Sequence, residues 1–84
     1  MSLLKTRFRK VLLELAPKLT ENDFEQINEL IDVGELKIGL ENLCIQLFEY
    51  DAKCSKYEIE EISIIGSILG VRERYWIILD SSKN

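Results

Sequence analysis

The chain has 84 residues, 46% hydrophobic and 31% charged, with a formal net charge of −4 and no histidine. That length leaves room for one core and one domain over residues 1–84, burying roughly 60–65% of the surface its unfolded form exposes. The composition excludes a disordered chain, and the negative balance disfavours nucleic acid and anionic membranes as partners while suiting a basic protein.

Leu4, Phe8, Val11, Leu12 and Leu15 recur at helical spacing with Lys5, Arg9 and Lys10 off the stripe, which predicts a first amphipathic helix. Pro17 ends it, because the residue before a proline is driven out of helical geometry. A cationic helix of this kind can serve a membrane or nucleic acid, or simply hold solvated cations. Thr20 predicts the N-cap of a second helix, with Asp23 at the capping-box position and Glu21 in the first turn, where negative charge is favoured. Phe24, Ile27, Leu30 and Ile31 form its apolar face, and Gly34 suits the left-handed residue that closes a helix. A third helix runs from about Glu35 to Glu49, with Leu36, Leu40, Leu43, Cys44, Leu47 and Phe48 as its core stripe. So short a connection makes these two helices an antiparallel hairpin.

The stretch SKYE (55–58) is a capping box that opens a fourth helix, with Ile62, Ile65, Ile68 and Leu69 inward and Gly70 as the stop. Its isoleucines would also suit a strand; the cap, the length and the final glycine favour helix. GSILG (66–70) has the spacing of a membrane helix-dimer motif in a segment too polar to span, so its small residues are expected to allow close packing. VRERYWIIL (71–79) reads as a short fifth helix with Val71, Tyr75, Ile78 and Leu79 inward. The expected fold class is all-α: a small bundle of four helices plus a short C-terminal fifth.

The chemistry of catalysis is sparse. Without histidine the usual general base and the commonest metal ligand are both missing. Neither Cys44 nor Cys54 has a neighbour at zinc-ligand spacing, the glycines at 34, 39, 66 and 70 form no phosphate loop, and no calcium-loop pattern occurs. No enzyme, metal or cofactor is expected. The two cysteines read as free thiols in a reducing compartment. The first residues interleave cations with apolar residues, unlike a signal peptide, and no apolar run approaches the ~20 residues that span a bilayer, so the expected location is the cytoplasm.

Charge is unevenly spread. Residues 1–18 hold Lys5, Arg7, Arg9, Lys10 and Lys18 against Glu14, a net +4, whereas residues 19–52 set nine acids against Lys37, a net −8. On the second helix Glu21, Glu25, Glu29 and Asp32 follow i, i+4, i+8 and i+11, one continuous acidic stripe. On the third, Glu35, Gly39, Asn42, Gln46 and Glu49 fall on a second polar stripe. A glycine there costs roughly 0.5–1 kcal/mol relative to alanine unless something approaches the backbone closely. An acidic helical hairpin can occupy the cationic cleft of a nuclease, and its field would speed encounter. An ordinary solvated face has the same pattern, and Glu21 and Asp23 already have a structural use at a helix N-terminus.

Taken together, LTENDFEQINELIDVGELKIGLENLCIQLFEYD (19–51), the serine-capped helix after it, LGV (69–71) and YW (75–76) resemble the MafI-like immunity proteins over about Leu19 to Leu79. The most recognisable pieces are ELIDVGE (29–35), the spacing of residues 40–51, and LGV with Trp76; Gly39 departs from the alanine expected there. The resemblance implies an antitoxin: a cytoplasmic inhibitor of the C-terminal domain of a secreted or contact-dependent polymorphic toxin, often an EndoU-type ribonuclease. The contact residues come from the stripes instead: Glu25, Glu29, Asp32, Glu35, Asn42, Gln46, Glu49, Tyr50 and Asp51, with Tyr50, Tyr57 and Trp76 as aromatic anchors if they are exposed; in so small a domain Trp76 is more often simply core. The expected partner is a basic toxin nuclease domain, with no direct nucleic-acid or membrane contact and a monomeric chain. Two alternatives stand beside it. An acyl carrier protein needs Asp-Ser-Leu at a helix start, and Ser2, Ser55, Ser63, Ser67, Ser81 and Ser82 all lie in other contexts. An acidic helical adaptor has no such requirement.

Overall fold

A computed structural model describes residues 3–80; Ser2, Ser81 and Ser82 of the carrier-protein alternative lie outside them. Helix α1 (Leu3–Leu15) is followed by a 3₁₀ turn (Ala16–Lys18), then α2 (Glu21–Asp32), α3 (Leu36–Glu49), α4 (Lys56–Leu69) and the short α5 (Arg74–Ile77). No strand occurs among the described residues. None of the helices is long and apolar enough to cross a membrane.

Local chemistry sets the starts of α2 and α4 and the ends of the four long helices. At Pro17 the α-helix tightens into the 3₁₀ turn, whose end is marked by the Leu19 N–H donating to the Ala16 carbonyl at 3.1 Å. Thr20 Oγ1 accepts from the Asp23 N–H at 3.1 Å, and Ser55 forms a complete capping box with Glu58. Helices α2, α3 and α4 each end on a residue of positive φ: Gly34 (83°), Asp51 (49°) and Gly70 (77°). After each, an N–H reaches back five residues: Glu35 to Leu30 at 2.9 Å, Ala52 to Leu47 at 3.0 Å, Val71 to Gly66 at 2.9 Å. This left-handed closure satisfies carbonyls that the helix end would leave open. Glycine does it twice without strain; Asp51 does it against the cost a Cβ imposes.

The four long helices form a ring, α1 beside α2 and α4, and α3 beside α2 and α4, with α5 closing against α3 and α4. The core takes Phe8, Val11, Leu12 and Leu15 from α1, Ile27 and Ile31 from α2, Leu40, Leu43, Cys44 and Leu47 from α3, and Ile62 and Ile65 from α4. Val71, Trp76 and Leu79 cap one end, so Trp76 is core and is no surface anchor. Its ring lies so close over Gly66 that a Cβ there would fall 2.3 Å from Cζ3. Close packing was the expected use of the small residues in 66–70; the neighbour is an indole ring, not another long helix.

Three residues expected inside lie outside: Phe48 is 55% exposed, Ile68 63% and Ile78 53%. The buried face of α3 is centred on Leu40, Leu43 and Leu47, and that of α4 on Ile62, Ile65 and Gly66. Phe48 and Ile68 stand about a quarter turn off those faces. In the C-terminal segment only four residues are helical, so a full helical stripe never develops and Trp76 turns in where Ile78 turns out. Gly39 also departs from the polar stripe. It is buried, with its Cβ position 3.5 Å from Leu30 and from the Phe8 ring, so it packs against α1 and α2 and offers no backbone to a partner.

Candidate acidic interface on the α2–α3 hairpin

Glu21, Glu25 and Glu29 run along the outer face of α2, all exposed and with no ion-pair partner among the described residues. Asp32 ends the same stripe but is engaged. Arg9 donates to its carboxylate at 2.7 Å and to Asn28 Oδ1 at 2.6 Å, and Lys5 Nζ donates to the Asp32 carbonyl at 3.4 Å. Asp32 and Asn28 lie one turn apart on the edge of α2 that meets α1, so the guanidinium clips the two helices together.

The third-helix residues divide. Asn42 is half-buried and lines a groove of about 390 Å³ with Gln26, Glu29, Leu30 and Val33 at the hairpin end. Glu35 is exposed at the N-cap of α3, where its side chain makes no capping bond. Gln46 is half-buried midway along α3. Glu49 and Asp51 lie at the other end of the helix, beside Phe48, and Asp51 takes the left-handed turn described above. Glu29 and Asn42 therefore share a groove, while Glu49, Tyr50 and Asp51 belong to a separate region.

Tyr50 ties that far end to α2. Its hydroxyl donates to the Asp23 carboxylate, a pairing the sequence reading missed because the partners are 27 positions apart. The bond from Tyr50, followed by that from Thr20, holds the Asp23 carboxyl below its ordinary range. The Tyr50 phenol is raised by the same bond. A tyrosine ending one helix and an acid opening its antiparallel neighbour is the signal that could have located the link.

Two other cations of the first segment, Arg7 and Lys18, are directed away from α2. Arg7 grips Glu61 of α4 in a two-pronged pair at 2.9 Å, and Lys18 donates to Glu58 at 2.9 Å and to the Lys53 carbonyl. Glu58 is buried at 8% exposure; burial alone would raise its carboxyl, but the Ser55 backbone N–H and Lys18 outweigh this and hold it below the ordinary value. Arg7 and Lys18 are thus paired with α4 and Arg9 with Asp32, and the glutamates of α2 have no ion-pair partner among the described residues. Burial pushes the Cys44 thiol up to about 12 and raises that of Cys54, so neither is an activated nucleophile. Among the described residues no group of three or more potential ligands is placed to hold a metal ion. Comparison with family models, with curated proteins and with solved structures finds no match to this chain.

Proposed function

We propose that this protein is an immunity protein that binds and neutralises a cognate toxin C-terminal domain, a basic nuclease of the EndoU type, through the acidic outer face of α2 and the groove beside it. It works in the cytoplasm and itself catalyses nothing. One observation carries the reading. Asp23, Asp32, Glu58 and Glu61 are held by Tyr50, Arg9, Lys18 and Arg7, while Glu21, Glu25 and Glu29 remain a contiguous stripe with no ion-pair partner among the described residues. Like charges at i, i+4 cost roughly 0.2–0.5 kcal/mol per pair, a cost that a cationic partner would turn into attraction. Glu29 and Asn42 supply acceptors and a donor at the groove, and Glu35 extends the acidic field around the hairpin turn. The resemblance to MafI-like immunity proteins over residues 19–79 supports the same reading.

The test is association kinetics with the purified C-terminal domain encoded by the reading frame immediately upstream. Converting Glu25 and Glu29 to lysine should lower the on-rate and flatten its fall with salt, because exposed charges are screened beyond ~10 Å at 0.1 M. Converting Glu60 and Glu73 makes the same change in net charge away from the hairpin and should leave the on-rate nearly as it was. Equal effects from the two pairs would reduce the stripe to net charge alone, and absence of any binding would end the proposal.

A further inference from the structure

The groove lined by Gln26, Glu29, Leu30, Val33 and Asn42 has a volume of about 390 Å³, within the roughly 300–1,000 Å³ that ligand sites occupy. Its lining has two chemistries. Leu30 is half-buried and Val33 is 68% exposed, so together they lay an apolar strip along the end of α2. Gln26, Glu29 and Asn42 are polar, and their side chains make no hydrogen bond or ion pair among the described residues. Glu29 is the charged member of the lining. The charges around it do not offset it. Glu25 lies one turn back on α2, and Glu35 is exposed at the N-cap of α3. Asp32, toward α1, is paired with Arg9. Glu41 and Lys37 stand about 100° and 140° round α3 from Asn42, on the flank opposite Gly39, which faces Leu30.

The chain itself holds an example of what such groups bind. At the other edge of α2, Arg9 donates at once to Asn28 Oδ1 at 2.6 Å and to Asp32 Oδ1 at 2.7 Å, an amide and a carboxylate one turn apart. Gln26 and Glu29 repeat that pairing one turn apart on the groove side, and Asn42 adds a second amide from α3. A guanidinium is a planar fork of five donors that reaches a carboxylate and an amide oxygen together. Its aliphatic stem and flat face suit the strip of Leu30 and Val33. An ammonium is a strongly hydrated point charge and gains less from the amides and the apolar wall. We infer that the groove is the seat of one arginine side chain from a basic protein partner. That this partner is the toxin domain rests on the function proposed above.

Heteronuclear NMR of the full chain at constant ionic strength reads the binding of the peptide acetyl-Gly-Arg-Gly-amide, with no toxin present. The expected result is a saturable shift of the side-chain amides of Gln26 and Asn42 and of the backbone around Glu29, with a dissociation constant on the order of 10 mM. The lysine peptide should bind about threefold more weakly or worse, and the citrulline peptide, similar in shape but neutral, should not bind measurably. Glu29→Gln should weaken the arginine peptide by about tenfold. Asn42→Ala, which leaves every charge in place, should weaken it by about threefold. Glu60→Gln makes the same charge change away from the groove and should have no effect; circular dichroism checks that each variant is folded. No saturable shift up to about 100 mM, a lysine or citrulline peptide that binds as tightly, or equal losses from Glu29→Gln and Glu60→Gln each overturns the inference. Peptide binding without toxin association would end the toxin reading alone, and toxin association without peptide binding would end this inference alone.

Discussion

Adding one methyl at Gly66 tests the packing account most severely. An alanine Cβ there would lie 2.3 Å from Trp76 Cζ3 and 3.0 Å from Cε3 and Cη2. The ring is rigid and buried, so it cannot yield by a few tenths of an ångström as a flexible chain end would. Overpacking a core costs about 1–3 kcal/mol, and displacing a buried aromatic about 3–5 kcal/mol. Replacing a mid-helix glycine by alanine returns about 0.5–1 kcal/mol. With a contact this close the ring must leave, so Gly66→Ala should destabilise by a net of about 2–4 kcal/mol. The melting temperature should fall by about 10 °C or more. Gly39→Ala is the counterpart: its Cβ would meet Leu30 and Phe8 at an ordinary 3.5 Å, so the propensity gain survives and the melting temperature should rise by about 2–8 °C. Thermal circular dichroism measures both. Trp76 is the one tryptophan, so emission should shift to the red in Gly66→Ala and stay put in Gly39→Ala. In a Trp76→Leu background the Gly66→Ala penalty should largely vanish. A Gly66→Ala chain that melts higher with unchanged emission would refute the argument.

Asp51→Gly should stabilise by about 0.5–1 kcal/mol in a denaturant titration, because glycine adopts the left-handed closure of α3 without strain. Lys18→Met should cost about 1–3 kcal/mol by leaving the Glu58 carboxylate buried with one partner fewer, a loss that Glu58→Gln in the same chain should partly restore. Asp23, Glu58 and Glu61 all have folded-state values below their ordinary 3.8 or 4.5, so their contributions are complete above about pH 5 and are withdrawn as pH falls through the folded values. Melting temperature against pH should therefore drop on the acid side, less steeply in Glu61→Gln, whose carboxylate is held first by the hydrogen bond from Arg7.

The sequence by itself determined the elements, because their signals are local. Thr20, Ser55, Pro17, Gly34 and Gly70 act within one helical turn, through a cap, a missing N–H or a positive φ, and the helices begin and end where those residues require. Periodicity likewise identified the centre of the buried face of each of the four long helices, though not of α5, where Trp76 is buried and Ile78 is exposed. Tertiary structure alone decided the edges of those faces and the pairing of charges. Whether Phe48, a quarter turn off the face of α3, is core or surface depends on how far α5 reaches, and α5 is too short to cover it. Whether Gly39 is an opening or a contact depends on Phe8, 31 positions away in the chain. The acidic stripe shows the limit most clearly. Glu29 and Asp32 are alike in the chain, but Asp32 lies on the flank of α2 that meets Arg9 while Glu29 faces solvent and the groove. Helical spacing places side chains around an axis; only the neighbouring helix decides which of them is neutralised.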